Sequence, residues 1–136
     1  MFLAENISSP NQALSKLKFD DVKYFFIRLN LTTDEENEFL QVVRDLLVNN
    51  APDAIILQDY NKGVLSPDII KGVIQLARNS GIPVTVDPKK DNFNLYSGVA
   101  VFKPNLRELS DQFVEEVTHH KESLDKAVTA LRKEMD

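Results

Sequence analysis

Short apolar runs alternate with helix-like segments between residues 53 and 103, and this alternation constrains the fold more than any other feature. The runs cover residues 53–58, 83–87 and 99–103. A continuous apolar run of this length is typical of a strand that is covered on both faces. Strands that alternate with helices through short linkers predict an α/β fold, with an open parallel sheet flanked by helices.

Helix signals lie before the first run and between the first two runs. Thr33 and Glu36 have the spacing of a capping box and precede apolar residues at helical intervals. Ser66 followed by Pro67 predicts the start of a second helix, and Gly81 suits the left-handed residue after its end. The connection between the second and third runs is too polar for a core helix.

Two further helices and one further strand are predicted outside the alternation. Residues 22–29 are rich in aromatic and branched side chains, which favour a strand. One helix begins near Asn105. The last helix presents an apolar face made of Leu124, Ala127, Val128, Leu131 and Met135. No strand follows it, so we expect the 136-residue chain to be the central part of a larger domain.

Composition excludes several classes of function. Hydrophobic residues make up 43% of the chain, which is enough for one folded core. The net charge of −5 argues against a nucleic-acid partner, because phosphates attract basic surfaces. No cysteine is present, so disulfides and thiolate metal sites are excluded. No run is long and apolar enough to cross a membrane, and the first residues do not resemble a signal peptide, so we expect a cytoplasmic protein.

Polar residues follow the three central runs, and a parallel sheet gathers them at one edge. Asp59 and Lys62 follow the first run, Asp87 ends the second and Lys89 follows it, and Asn105 and Glu108 follow the third. Ligands of open α/β sheets bind at this carboxyl edge. Carboxylates with lysines suit Mg²⁺ and phosphate groups, so the pattern favours phosphoryl transfer.

Each of these residues also has a purely structural interpretation. Asp59 and Asp87 can cap the loops that they enter, because aspartate favours turns. Asn105 and Glu108 have the spacing of a capping box, and the two lysines that follow Asp87 can be simply solvated. The neighbouring His119 and His120 are interpreted as solvated, because adjacent helical residues do not face each other.

Three motifs in order carry a family resemblance: D-Y-N-K-G at 59–63, D-P-K at 87–89 and P-N-L-R-E at 104–108. Together they resemble the ribokinase-like (PfkB) carbohydrate kinases, and among these the branch of heptose 7-phosphate kinases within bifunctional ADP-heptose synthases of lipopolysaccharide biosynthesis. The resemblance is good over residues 53–110 and weaker over 17–50. It implies an incomplete ribokinase-like (Rossmann-like) fold and a parent enzyme that uses ATP and Mg²⁺.

The resemblance also implies roles for single residues. Asn105 and Glu108 match the family's N-x-x-E motif, which organises Mg²⁺ and the ATP phosphates. Asp87 joins that network as a metal ligand with Glu108, and Lys89 lies near phosphate. Two further groups border the substrate: Asp59 and Lys62 at the cleft between sugar and nucleotide, and Arg28 near the sugar.

Some family features differ or do not occur in the sequence. Lys90 stands where the family has glycine after D-P-K, and Asn30 replaces an aspartate. The glycine-rich sugar-binding segment and the G-A-G-D motif, whose aspartate is the catalytic base, do not occur. We therefore expect no catalytic base in this chain and no activity of the chain alone.

Two alternatives stay open. The chain can be a non-catalytic α/β module that binds a nucleotide or sugar phosphate, or a subunit that a partner completes by adding a strand. It can also belong to another branch of the same kinases with a different sugar. The resemblance leaves open a homodimer of the parent enzyme.

Overall fold

The computed structural model describes residues 31–113 and 116–135. These ranges contain α1 (Thr33–Asn50), β1 (Ile55–Gln58), α2 (Pro67–Asn79), β2 (Val84–Asp87), a 3-10 helix (Lys90–Leu95), β3 (Val101–Phe102), α3 (Leu106–Ser110) and α4 (Lys121–Met135). The strand predicted for residues 22–29 lies outside the described ranges. The three central strands lie within two residues of their predicted positions.

The strands form one sheet in the order β1-β2-β3, and both neighbouring pairs are parallel. In the register, Thr85 lies between Ile56 of β1 and Val101 of β3. Parallel strands require a crossover connection, which α2 provides between β1 and β2. The predicted fold class, an open parallel sheet flanked by helices, is confirmed.

Helix α2 covers one face of this sheet. The Ser66 hydroxyl oxygen accepts a hydrogen bond from the backbone N–H of Ile69 at 3.2 Å, and Pro67 occupies the first turn, as predicted. The buried stripe of the helix consists of Ile69, Ile70, Val73, Ile74 and Ala77. It packs against Leu57 and Val86 of the sheet. Burial of each isoleucine stabilises the fold by about 2 kcal/mol.

Within the residues that the structure describes, the opposite face of the sheet is largely open, and the prediction that β1 is covered on both faces is wrong for this part of the chain. Ile56 is 75% exposed and Val101 is 51% exposed. Helix α1 packs against α2 and does not cover Ile56 or Val101. An apolar run shows that a strand can be buried on both faces, but tertiary packing decides which faces receive a helix.

Helix α1 begins one residue earlier than predicted. The N-cap is Thr32, whose backbone N–H donates to Glu35 Oε2 at 2.8 Å. The Thr32 hydroxyl oxygen accepts from the Glu35 backbone N–H at 3.4 Å. Because both threonine and glutamate occur twice in succession, the pair of Thr33 and Glu36 fits the same spacing equally well. At the end of α2, Gly81 has a φ of +68°, as predicted.

The connection between β2 and β3 is more structured than its polarity predicted. Its 3-10 helix buries Phe93, whose ring meets Phe102 edge-on with centroids 4.9 Å apart. Phe93 joins a second apolar cluster with Leu109, Val117, Ala127 and Leu131. This cluster attaches α4 to the rest of the fold. Val128, predicted to lie on the buried face of α4, is exposed.

Candidate functional site

The carboxyl ends of the three strands meet at one edge, as expected for a parallel sheet. Backbone hydrogen bonds continue past the strands: Asp59 N donates to Asp87 O at 3.1 Å, and Lys103 N donates to Val86 O at 3.0 Å. This edge therefore places Asp59, Asp87 and Lys103 in adjacent chain segments. We call the group formed by Asp59, Asp87, Lys89, Lys103, Asn105 and Glu108 the carboxyl-edge site.

An ion pair between Lys89 and Glu108 joins the segment after β2 to helix α3. Lys89 Nζ donates a hydrogen bond to Glu108 Oε1. The other carboxylate oxygen, Oε2, accepts from the backbone N–H of Asn105 at 2.9 Å, and Asn105 Oδ1 accepts from Glu108 N at 2.9 Å. The capping box predicted for Asn105 and Glu108 is thus confirmed. Glu108 is 9% exposed, and its side chain is fixed by contacts at both oxygens.

The ion pair also stabilises the charged form of the lysine. The hydrogen bond to Glu108 raises the pKa of Lys89, partial burial opposes this, and the nearby charges of Glu108, Asp87 and Asp59 add to the increase. The ammonium group thus stays positively charged while it lies near three carboxylates. It provides a fixed positive charge at the edge of the sheet.

A second ion pair lies beside the first. Lys103 Nζ contacts Asp87 Oδ1 at 2.8 Å, and both side chains remain partly exposed. Lys90 makes a longer contact of 3.7 Å with Asp111. Asp87 and Glu108 therefore each have a lysine partner that a metal cation can replace, and the lysine can then pair with a phosphate group. Such an exchange conserves the pairing of charges, because lysine binds phosphate as a point charge.

Asp59 has a different environment from the other predicted site residues. It is 1% exposed, and both carboxylate oxygens accept hydrogen bonds. Oδ1 accepts from the backbone N–H of Asn61 at 2.7 Å. Oδ2 accepts from Tyr96 OH at 2.8 Å and from Asn92 Nδ2 at 3.0 Å. The interpretation of Asp59 as a loop cap is confirmed, because its carboxylate fixes the start of the D-Y-N-K-G segment.

The residues that hold Asp59 come from the 3-10 helix region and were not identified by the sequence analysis. Asn92 Nδ2 also donates to the carbonyl oxygen of Leu65 at 3.0 Å, so it ties both ends of the loop after β1. Asn61 Nδ2 donates to Asp91 Oδ2. Burial raises the pKa of the Tyr96 hydroxyl, and the hydrogen bond to Asp59 raises it further. In the sequence, the tyrosine within the polar segment between β2 and β3 is the signal for this hydrogen bond, because a buried tyrosine hydroxyl needs a hydrogen-bond partner.

Apart from Asp59, the predicted site residues fall into three groups. Asp87, Lys89, Asn105 and Glu108 come together at the carboxyl-edge site. Lys62 is exposed on the loop that Asp59 anchors and forms no ion pair within residues 31–113 and 116–135. Arg28 lies outside the described residues. His119 and His120 are exposed, as predicted.

The donor set of the carboxyl-edge site suits Mg²⁺ in the presence of phosphate. Mg²⁺ is usually bound by one or two carboxylates, with waters and phosphate oxygens completing its octahedron. Asp87 and Glu108 are the two carboxylates that fit this role, since each pairs with a lysine that a cation can replace, whereas Asp59 is held by neutral donors in the interior. In the described part of the chain, no cluster of three or more His, Asp or Glu side chains has the geometry of a metal site.

Comparisons with known proteins agree with the motifs. No model of a protein family matches the chain. The bifunctional protein HldE of Campylobacter jejuni subsp. jejuni serotype O:2 is 32% identical over 128 residues, which is 94% of this chain and 25% of that protein. The bifunctional protein HldE of Granulibacter bethesdensis is 60% identical over 57 residues, which is 42% of this chain and 12% of that protein.

A third relative extends the same pattern. The bifunctional protein HldE of Pelobacter propionicus is 47% identical over 68 residues, or 48% of this chain and 14% of that protein. The chain spans at most about a quarter of the length of these curated relatives. The resemblance stated from the motifs is confirmed for this group of proteins. No helix within the described residues is long and apolar enough to cross a membrane.

Proposed function

We propose that the chain is the central part of a ribokinase-like, ATP-dependent sugar-phosphate kinase. We infer that the parent enzyme phosphorylates heptose 7-phosphate on the way to ADP-heptose for the lipopolysaccharide core, and that it works in the cytoplasm. The observation that carries the proposal is the contact between the D-P-K and P-N-L-R-E segments through Lys89 and Glu108. The similarity to bifunctional HldE proteins over 94% of the chain supports the heptose branch.

In this proposal the carboxyl-edge site exchanges its internal ion pairs for contacts with Mg²⁺ and ATP. Glu108 and Asp87 would hold the metal ion in place of Lys89 and Lys103, and the bound ion would neutralise phosphate charge. The two ammonium groups would then be free to contact phosphate oxygens. Asn105 holds Glu108 in place through the capping box, so the carboxylate needs little rearrangement.

The proposal assigns binding to this chain and proton removal to another part of the parent enzyme. The sequence contains no G-A-G-D motif, which supplies the catalytic base in the family that the chain resembles. Asp59 does not replace that base, because both of its oxygens are engaged in the interior. We therefore expect no phosphoryl transfer to heptose 7-phosphate by the chain alone.

Calorimetric titration of the chain with Mg²⁺ and ATP tests the binding step. We expect weak binding that is lost in Glu108→Gln, because the amide removes a negative charge from the metal site. Glu122→Gln is the matched control, since Glu122 is an exposed glutamate of α4 that pairs only with Lys126 among the described residues. Equal binding by the chain and by both variants would contradict the role of Glu108.

A chimera tests the reaction. Residues 31–135 of this chain replace the aligned segment of the Campylobacter jejuni relative, and ADP release is measured with heptose 7-phosphate as acceptor. We expect activity in the chimera and its loss in the chimera with Asp87→Asn. A chimera that has the thermal stability of the unaltered relative but releases no ADP would overturn the kinase proposal.

One observation favours the non-catalytic alternative as a second candidate. Every carboxylate of the carboxyl-edge site already has an internal partner, which also suits a module that only binds a nucleotide or sugar phosphate. A folded chimera without kinase activity, together with Mg²⁺-dependent ATP binding by the chain, would support this alternative.

A further inference from the structure

A cleft of about 430 Å³ lies between helix α2 and the connection that leads to β3, away from the carboxyl-edge site. Lys71, Gln75 and Arg78 line it from the helix. They are four and three residues apart, so they share one helix face. Asn94, Ser97 and Gly98 line it from the connection. The volume is within the range of pockets that hold small ligands.

The cleft is positively charged although the chain as a whole is acidic. Among the described side chains that line it, two are basic and none is acidic. Neither Lys71 nor Arg78 takes part in an ion pair with any part of the chain that the structure describes. Both cations are therefore available to a ligand, and the net charge of −5 is distributed elsewhere.

The connection makes specific room for the arginine. Gly98 has a φ of +81°, which other residues adopt with strain. A Cβ atom at this position would stand 2.1 Å from Arg78 Nη2. The guanidinium group thus lies directly over the backbone of Gly98. This contact fixes one end of the cleft.

The other walls supply polar donors and an apolar surface. Asn94 and Ser97 are exposed and carry an amide and a hydroxyl group at the rim. Ile74 and the half-buried Leu95 form the apolar part of the lining. Guanidinium and ammonium groups with hydroxyl and amide donors match the three oxygens and near-double negative charge of a phosphate ester. A single carboxylate has only two oxygens and one charge for these four groups.

We propose that this cleft binds a small phosphorylated molecule. Its phosphate lies between Arg78 and Lys71, and its carbon skeleton lies against Ile74 and Leu95. The site does not depend on the proposed kinase function, because it shares no residue with the carboxyl-edge site.

Nuclear magnetic resonance on the ¹⁵N-labelled chain tests the site, with glucose 6-phosphate, inorganic phosphate, citrate and glucose as probes. We expect glucose 6-phosphate to shift the amide signals of Ser97 and Gly98 in a saturable way, inorganic phosphate to do so more weakly, and glucose not at all. Absence of saturable shifts at these amides with both phosphates would overturn the proposal. Binding of citrate as tightly as glucose 6-phosphate would count against a phosphate site.

Variants separate the cleft from general charge attraction. Arg78→Gln should weaken binding of glucose 6-phosphate by about tenfold or more, and Arg78→Lys by less, since lysine keeps the charge but loses the two-pronged contact. Lys133→Gln removes the same charge from an exposed position on α4 and should leave the affinity unchanged. Equal weakening by Arg78→Gln and Lys133→Gln would contradict the proposal.

Discussion

At the residue scale, Tyr96 and Asp59 show how a buried polar contact supports a functional loop. The hydroxyl hydrogen of Tyr96 is donated to Asp59 Oδ2 at 2.8 Å, and Tyr96 is fully buried. Asp59 in turn fixes the backbone of Asn61. Lys62 lies on the same loop, and the hydrogen bonds of Asp59 to Tyr96 and Asn61 hold the start of that loop in place. The contact thus links core stability to the position of a predicted cleft residue.

Replacement of this hydroxyl should destabilise the fold. Tyr96→Phe leaves one hydrogen bond of a buried carboxylate unmade, so we expect the free energy of unfolding to fall by about 1–3 kcal/mol. Urea denaturation followed by circular dichroism measures the change. Tyr60→Phe is the matched control, because Tyr60 is half-exposed, and it should change the free energy by less than about 0.5 kcal/mol. Similar changes in the free energy of unfolding for the two variants would show that the Tyr96 hydroxyl makes no net contribution to stability.

Two residues should make the protein sensitive to alkaline pH. The pKa values of Tyr96 and Lys89 are both raised in the folded chain, by burial for Tyr96 and by the hydrogen bond to Glu108 for Lys89. A group with a raised pKa contributes its stability below its unfolded pKa and loses it as pH rises. The free energy of unfolding should therefore decrease above about pH 10.

Urea denaturation from about pH 8 to about pH 11 measures this dependence. Tyr96→Phe should make the decrease less steep, because phenylalanine cannot ionise in the unfolded state. Lys89→Gln should do so as well. A slope that is identical in the unaltered chain and in both variants would contradict the assignment to these two residues.

At the scale of single elements, capping contacts determine where the helices begin. Helix α1 starts after Thr32, and α3 starts after Asn105, each with a reciprocal pair of hydrogen bonds to a glutamate three residues later. In α3 the same glutamate belongs to the carboxyl-edge site. The short helix therefore orients Glu108 toward Lys89, and local structure and the proposed binding chemistry depend on one side chain.

The start of α1 can be tested with two neighbouring threonines. Thr32→Ala removes the N-cap and should lower the free energy of unfolding by about 1 kcal/mol. Thr33→Ala changes the first residue of the helix and should be close to neutral, since alanine is a good helix former. Thermal unfolding of both variants measures the difference. A larger loss for Thr33→Ala than for Thr32→Ala would restore the register first predicted from the sequence.

At the scale of the whole molecule, the sheet has one covered and one open face, as far as the described ranges 31–113 and 116–135 show. Ile70 of α2 is fully buried on the covered side, whereas Ile56 of β1 is largely exposed on the other. Stability therefore comes mainly from the layer that α2 and the sheet form together. The open face carries the row of Ile56, Thr85 and Val101 beside the carboxyl-edge site.

A matched pair of isoleucines tests this asymmetry. Ile70→Ala should lower the free energy of unfolding by about 2–5 kcal/mol, because it removes buried methyl groups and leaves a cavity. Ile56→Ala should cost less than about 1 kcal/mol, mostly through strand propensity. Equilibrium urea unfolding gives both values. A cost for Ile56→Ala as large as that for Ile70→Ala would show that the second face is covered in solution.

The sequence by itself determined the order of elements, the parallel sheet and the edge at which polar residues collect. These follow from local signals: apolar runs, caps such as Ser66, and the rule that parallel strands end on the same side. It also indicated Asn105 and Glu108 twice, as a helix cap and as a phosphate-site motif, and the capping contact is confirmed.

Only the tertiary structure decided which faces are covered and which carboxylates remain accessible. Asp59 directly follows a strand and Asp87 ends one, yet Asp59 is enclosed by Asn92 and Tyr96 while Asp87 stays partly open beside Lys103. The difference arises from a 3-10 helix more than 30 residues from Asp59 along the chain. Local patterns cannot encode such a contact, because burial depends on segments that are brought together only when the chain folds.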